Sequence, residues 1–454
     1  PVFSFVNQTR NHNRNHNAVI NANLKHTFDS TGRELTADID YGLYRTRNAS
    51  FNETKYYDLN GGVLRPDYML DGRQTGRLAF ITGKADYSHP VKKGIAWEAG
   101  IKSSFVSSDN DAAFFDVSNG TPQEDESKTN RFYYKENNNA GYINYKADFG
   151  KISIQAGLRG EHTGVNTRQV KGDISWDSSY FQLFPSLFFN YKLRENQVLG
   201  LSVSRRIDRP GYSQLNPFLF LVDVTTYTTG NPGLLPQFTW AYELSYTHSS
   251  FSITAGYSHT TRNQAVVLNR FRDVFPNLPS DDNVTVQIPV NLTFSDYYGI
   301  TIATPLRIKP WWSMINNVNL YYNHFNGNLS GTTLNNGRAV INASSNNTFT
   351  FKKGWSAEFS ASVNSGGQAG YMTFEPQWAI GAGIQKRVLK DRGMLRLNIT
   401  DMFWTNLPEA VMKLNNYIEY WHAYRETRTI NLVFTCRFGN NKVAQSRRRT
   451  TASE

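Results

Sequence analysis

The chain has 454 residues and a formal net charge of +11; only 39% of its residues are hydrophobic, yet 14% are aromatic. Disordered chains lack aromatics, which excludes disorder, and without a run of about eighteen apolar residues a membrane-spanning helix is excluded too. The single cysteine, Cys436, excludes an internal disulfide or a cysteine-based metal site and reads as a small apolar filler. With Pro1 in place of Met and no signal segment, the sequence reads as a mature or truncated piece. Apart from Arg447-Arg448-Arg449 its basic residues are scattered, so nucleic acid is not an expected partner; a basic surface facing anionic lipopolysaccharide is a milder account of the charge, and a solvated tail the plainest.

In chain order, Val2–Gln8 alternates like a strand, and Thr9–Asn17, rich in Asn and His, reads as a loop. Ala18, Ile20, Ala22 and Leu24 give the apolar face of the next strand, which turns at Asp29-Ser30-Thr31-Gly32. Leu35, Ala37, Ile39, Tyr41 and Leu43 mark the return. Residues 48–75 read as a long polar segment before a strand over 76–88. The short turn 89–93 leads to Ile95, Trp97, Ala99 and Ile101. Residues 108–137 are polar again and carry the acidic run Glu124-Asp125-Glu126. Strands over 138–149 and 152–158 flank the tight turn Phe149-Gly150-Lys151. A loop over 165–179 precedes strands over 180–193 and 198–206, and the aromatic-rich residues 207–237 read as the longest loop.

Phe238–Thr260 carries the clearest pattern. Phe238, Trp240, Tyr242, Leu244 and Tyr246 alternate with Thr239, Ala241, Glu243, Ser245 and Thr247. After His248-Ser249-Ser250, Phe251, Ile253, Ala255 and Tyr257 alternate with Ser252, Thr254, Gly256 and Ser258. This is a hairpin of strands of about ten residues, against five or six in soluble sheets. One apolar and one small, polar face suit a wall between lipid and a wet lumen. Beyond it, 283–309 reads as one long strand interrupted near Pro289. Strands over 313–325, 339–352, 354–364, 375–388, 393–402 and 425–438 follow. Connections alternate short and long, as periplasmic turns and extracellular loops do. The fold expected is therefore all-β: a transmembrane antiparallel β-barrel of about eighteen strands over 1–438, then a polar, basic periplasmic tail over 439–454.

Tryptophans fall at the strand ends. Trp97, Trp311, Trp312 and Trp355 begin strands rising from short turns, Trp240 and Trp378 begin strands descending from long loops, and Trp404 follows a strand end. All seven are expected in the girdles at the membrane interfaces, where an amphipathic ring is stable.

The stretches AGLRGEHT (Ala156–Thr163), LFPSLFFNYKL (Leu183–Leu193), SRRIDRP (Ser204–Pro210), LNPF (Leu215–Phe218), GNPGLLPQ (Gly230–Gln237) and YELSYTH (Tyr242–His248) occur in this order. In them the chain resembles the bacterial outer-membrane β-barrel family related to TonB-dependent receptors. The resemblance implies an outer-membrane location, a barrel of twenty-two strands, and a plug domain with a TonB-contacting segment. Neither plug nor segment is identifiable, so the chain reads as the C-terminal portion of the barrel, coupled to TonB through a plug it does not contain.

No HExxH, GxSxG or Walker motif occurs, and no enzyme or cofactor is expected. His12 and His16 have helical metal spacing but lack a carboxylate partner, and no metal site is assigned. Glu124-Asp125-Glu126 with Asp109 and Asp111 could offer oxygens to calcium, with a solvated acidic loop as the plainer reading. Arg205, Arg206 and Arg209, where a strand leaves the membrane, could grip an anionic ligand or anchor a loop. Tyr212 and Tyr227 in the same loop could stack on sugar rings or pack the loop. These five are the candidate ligand residues. The expected function is uptake of a small-molecule, peptide or glycan substrate bound at the extracellular loops, without catalysis. The alternatives are a non-transporting barrel for adhesion or envelope assembly, and a passive porin.

Overall fold

The computed structural model describes residues 3–126, 128–223, 225–276, 284–329, 331–414 and 417–438; the basic tail 439–454 lies outside them. One antiparallel sheet of eighteen strands dominates, and one of these, Gln123–Glu124, is only two residues long. The other seventeen follow the chain as a meander, each pairing with the next. They are β1 (Ser4–Thr27), β2 (Glu34–Tyr57), β3 (Val63–Lys92), β4 (Ile95–Asp116), β5 (Asn130–Asp148), β6 (Ile152–Gln169), β7 (Ile174–Arg194), β8 (Gln197–Asp208) and β9 (Gln237–His248). Then come β10 (Phe251–Thr261), β11 (Phe294–Lys309), β12 (Trp312–Leu329), β13 (Thr332–Thr350), β14 (Trp355–Asn364), β15 (Gln377–Val388), β16 (Gly393–Thr400) and β17 (Thr429–Cys436).

The register turns sequence alternation into two walls. Leu201, Leu244, Ala255, Ile300, Leu320 and Ile341 face one another across β8 to β13 as one continuous row. One residue along each strand, the row reads Gly200, Ser245, Thr254, Thr301, Asn319 and Asn342. Because side chains alternate between faces, the first row belongs to an apolar outer wall and the second to a polar inner one. On the outer wall Tyr242, Tyr257 and Tyr298 stack across three strands, with ring centres 5.9 and 4.9 Å apart. Inside, the Tyr142 hydroxyl sits 2.5 Å from Asp86 and 2.7 Å from Glu98.

Short turns close one end of the sheet. Gly94 shows why such turns choose glycine: its φ is +80°, and a Cβ there would lie 2.7 Å from the Asp148 carbonyl. Trp97, Trp311, Trp312 and Trp355 lie toward this end; Trp240, Trp378 and Trp404 lie toward the other.

Several sequence expectations are corrected. Thr9–Asn17 is not a loop: β1 runs unbroken through it, paired residue for residue with β2. The two strands expected at Val2–Gln8 and Ala18–Leu24 are therefore one, which lowers the number of long strands to seventeen. Residues 48–75, 108–137 and 165–179 are also mostly strand, in β2 to β7. These portions project past the apolar band, where neither face meets lipid, so the alternation that marks a strand is missing. Nor is 283–309 one strand: Thr285–Asn291 pairs in a separate small sheet, and β11 starts at Phe294.

The sheet is not closed. Among the described residues the free edges of β1 and β17 have no partner strand. Both strands run from the long-loop end to the short-turn end, so they could meet in an antiparallel barrel only through an odd number of further strands.

Placing arginine in the outer row, as Leu320→Arg, should destabilise the membrane-inserted barrel by about 2–4 kcal/mol. Asn319→Arg on the inner wall should change it by less than about 0.5 kcal/mol. Urea titration of the barrel in bilayers, read by gel mobility, checks the pair.

Candidate functional site

At the long-loop end the connections fold inward instead of standing free. The connection between β8 and β9 carries a short helix, Tyr212–Leu215, and the strands Phe220–Asp223 and Thr226–Thr228. Its Leu215, Phe218 and Leu234 are buried against Leu70, Ala112, Phe114, Phe132 and Tyr134, all on the inner face of β3, β4 and β5. Thr226–Thr228 pairs with Thr285–Asn291, which pairs with Gln264–Arg270, joining this connection to the next in a four-stranded sheet. A second small sheet, Gly367–Ala369, Met372–Phe374, Glu409–Leu414 and Tyr417–His422, unites the last two long connections. Val267, Leu268, Leu292, Tyr371, Met412 and Leu414 from these connections pack on inward-facing Phe325 and Leu334.

One ionic clamp ties the first connection to the wall. Glu161, on the inner face of β6, is buried and receives Arg159 and Arg209 at hydrogen-bond distance. Arg209 Nη2 also donates to Thr163 Oγ1 at 3.1 Å. Burial disfavours the Arg209 charge, but the hydrogen bond and charge of Glu161 outweigh it and raise its pKa. Beside the clamp lies a cavity of about 180 Å³, lined by Tyr134, Glu136, Trp176, Tyr180, Arg209 and Pro232–Pro236. A second, of about 250 Å³, opens between the two small sheets and is lined by Val266, Met372, Phe374, Met412 and Trp421.

The five candidate residues separate in space. Arg205, on β8, donates to the Leu183 carbonyl at 2.7 Å and to Gln182 Oε1 at 2.8 Å and lies over the Phe184 and Phe238 rings. Arg206 is exposed on the inner face opposite Thr239. Arg209 is the loop half of the clamp. Tyr212 packs on Phe132 and Tyr134, ring centres 5.9 Å away in both cases, and its burial raises its pKa. Tyr227 packs on Phe271 at 5.1 Å. Sequence motifs do not point to Glu161, Trp176 and Tyr180; only their inward parity on β6 and β7 signals them.

His12 and His16 lie on one face of a strand, about 13 Å apart at the usual rise, too far to share an ion. Asp125 pairs with Lys128, and Asp109 forks onto Arg131 at 2.9 and 2.7 Å. Among the described residues no group of three His, Cys, Asp or Glu is placed to hold a metal.

The last long connection has its own organiser. Asp401, directly after β16, is buried and accepts from the Thr405 amide (3.1 Å), the Asn406 amide (3.0 Å) and the Thr427 hydroxyl (2.6 Å). Burial alone would raise its pKa; these hydrogen bonds prevail and lower it.

The profile of the outer membrane protein beta-barrel family matches residues 26–436. No curated protein sequence matches the chain. Among solved structures, the ferric yersiniabactin uptake receptor FyuA from Yersinia pestis aligns over 88% of this chain and 61% of its own, at 12% identity and a TM-score of 0.57. The ferric citrate transporter FecA aligns over 88% and 61%, at 11% identity and a TM-score of 0.53. The ferric-catecholate import receptor Fiu from K12 E. coli aligns over 89% and 65%, at 12% identity and a TM-score of 0.54. At these identities the likeness is one of fold, and the chain spans less than two thirds of each of these receptors.

Arg209→Gln removes a charged hydrogen bond from Glu161 and should weaken the docking of 209–236 by about 2 kcal/mol. Hydrogen exchange should quicken there while β12 and β13 stay unchanged. For Asp401 the lowered folded pKa means its stabilisation is complete above the unfolded value of about 3.9. It is lost as pH falls through the folded value. Exchange over 401–428 should therefore quicken below pH 4 in the wild type, and be fast already at pH 6 in Asp401→Ala.

Proposed function

The chain belongs to the outer membrane protein β-barrel family, and from that membership we propose that it is the barrel portion of a substrate-uptake receptor of the TonB-dependent kind. It is a cell outer-membrane β-barrel protein, its long connections extracellular and its short turns periplasmic in this reading. The observation that carries the proposal is the inward packing of the long connections. Four of them join into two small sheets that rest on the inner wall and build cavities there. A passive porin keeps its lumen as an aqueous channel. A receptor needs walls that can touch a cargo and then move.

The cavities, about 180 and 250 Å³, fall below the size that encloses a whole drug-sized ligand. Each would seat one ring or short branch of a small-molecule, peptide or glycan cargo, with Arg206 exposed on the inner wall for an anionic group. FyuA, FecA and Fiu are described as handling ferric yersiniabactin, ferric citrate and ferric catecholates; ferric chelates are the first cargo class to try. A complete barrel of twenty-two strands would need five beyond the seventeen here, an odd number, as the parallel-running edges of β1 and β17 require. The plug and its TonB-contacting segment would belong to the same missing part. No step in this reading is catalytic.

Uptake by cells carrying the full-length receptor tests the proposal. A panel of radiolabelled ferric chelates, oligopeptides and oligosaccharides should reveal at least one cargo whose accumulation stops when a protonophore collapses the membrane potential. Accumulation that ignores the protonophore would mark a passive pore, and none at all a non-transporting barrel.

A further inference from the structure

The outer wall of β1 changes character abruptly. Ala18, Ile20, Ala22 and Leu24 continue the apolar band, but the preceding outward positions are His16, Arg14, His12 and Arg10. The register places like charges beside them. Arg14 is directly opposite Arg47, and His16, Arg45 and Arg77 form one row across β1, β2 and β3. Arg73 lies two residues along β3 from Thr75, which is opposite Arg47. The row immediately below is Ala18, Leu43 and Ala79, so the charge begins where the apolar band ends.

These arginines are exposed and poorly neutralised. Among the described residues Arg14, Arg45, Arg47 and Arg77 form no ion pair with a carboxylate, and Arg73 has Asp71 at 3.0 Å. Asp109 faces Arg77 across the sheet but is committed to Arg131, and Asp111, which ends the row of Arg14, Arg47 and Thr75 on β4, stands directly opposite Arg131 as well. Neighbouring strands are about 4.8 Å apart, so cations directly opposite repel. Protecting an open edge would explain charge on β1 alone, and with either sign. Here one sign extends to β3, two strands inside the edge.

We propose that this patch binds the phosphorylated sugar headgroup of an outer-leaflet glycolipid of the lipid A type. Its acyl chains would lie along the band of Ala18–Leu24, Leu43 and Ile81. The phosphates would meet Arg14, Arg45, Arg47 and Arg77, whose planar forks match phosphate oxygens. A glycolipid fits because the patch adjoins hydrocarbon on one side, which a freely dissolved anion has no use for. The site rests on the outer-membrane location and not on the uptake reading, so either can fail without the other.

The test compares the full chain with Arg45→Gln/Arg47→Gln/Arg77→Gln in neutral detergent, without lipid and with bisphosphorylated lipid A, dephosphorylated lipid A or inorganic phosphate. With no anion the variant should melt higher than wild type, because repulsion has been relieved. Bisphosphorylated lipid A should reverse the order, and its apparent affinity should fall about fivefold per charge removed, on the order of a hundredfold in all. Dephosphorylated lipid A and inorganic phosphate should leave the first order in place. A variant that melts lower in every condition would make the arginines parts of the fold and overturn the proposal. So would a wild type that gains no more from bisphosphorylated lipid A than from its dephosphorylated form or from phosphate alone.

Discussion

A peptide group left without a hydrogen bond in hydrocarbon costs several kcal/mol, and among the described residues no helix is long and apolar enough to satisfy such groups within one membrane-crossing segment. The remaining solution is strand against strand, and the meander follows from it. With the register fixed, the period of two decides which residue meets which medium. Leu320 and Asn319 have opposite surroundings solely because they are adjacent on a paired strand. The same constraint explains what the sheet lacks. Ile430, Leu432 and Phe434 on β17 are 71%, 69% and 59% exposed, and that strand's free backbone edge must find partners before it can rest in a membrane.

Past the apolar band the constraint relaxes, and there the protein differentiates. β1 to β5 continue well beyond it, and the inner faces of β3, β4 and β5 become a floor for the connection between β8 and β9. Glu161 links the regimes: it sits on a wall strand, yet one of its two arginines comes from the connection. With the loop undocked, the buried carboxylate keeps Arg159 alone and loses half of its compensation. The small sheets add backbone pairing between connections far apart in sequence, so the mouth behaves as packed structure and not as a set of separate loops.

Within the band the fold was legible from sequence. The Phe238–Thr260 hairpin was read almost to the residue, because both of its faces carry strong and opposite signals. Thr9–Asn17 is illegible for the opposite reason: one face is Asn and Thr and the other Arg and His, and neither tells a strand from a loop. Thr285–Asn291 looked like the start of β11 because a two-residue break carries little punctuation. The site was legible only in part. Arg209 stands out in the sequence, but Glu161, forty-eight residues earlier, is joined to it only by the fold. Tyr212 and Tyr227 were recognised as aromatics of a loop; whether an aromatic meets cargo or core depends on the inner-wall residues beneath it, and those are set by parity on distant strands. The arginines of β1 to β3 are spread over 68 residues of sequence, from Arg10 to Arg77, and become one surface only through two ladders.

The most direct test of the two-walled sheet is a nitroxide scan along β12 from Val318 to Tyr322, one label at a time, with Cys436 replaced and the full-length protein in bilayers. Relaxation by oxygen should be greatest at 318, 320 and 322, and relaxation by a water-soluble nickel chelate greatest at 319 and 321. Equal relaxation at neighbouring positions, or the opposite phase, would contradict it.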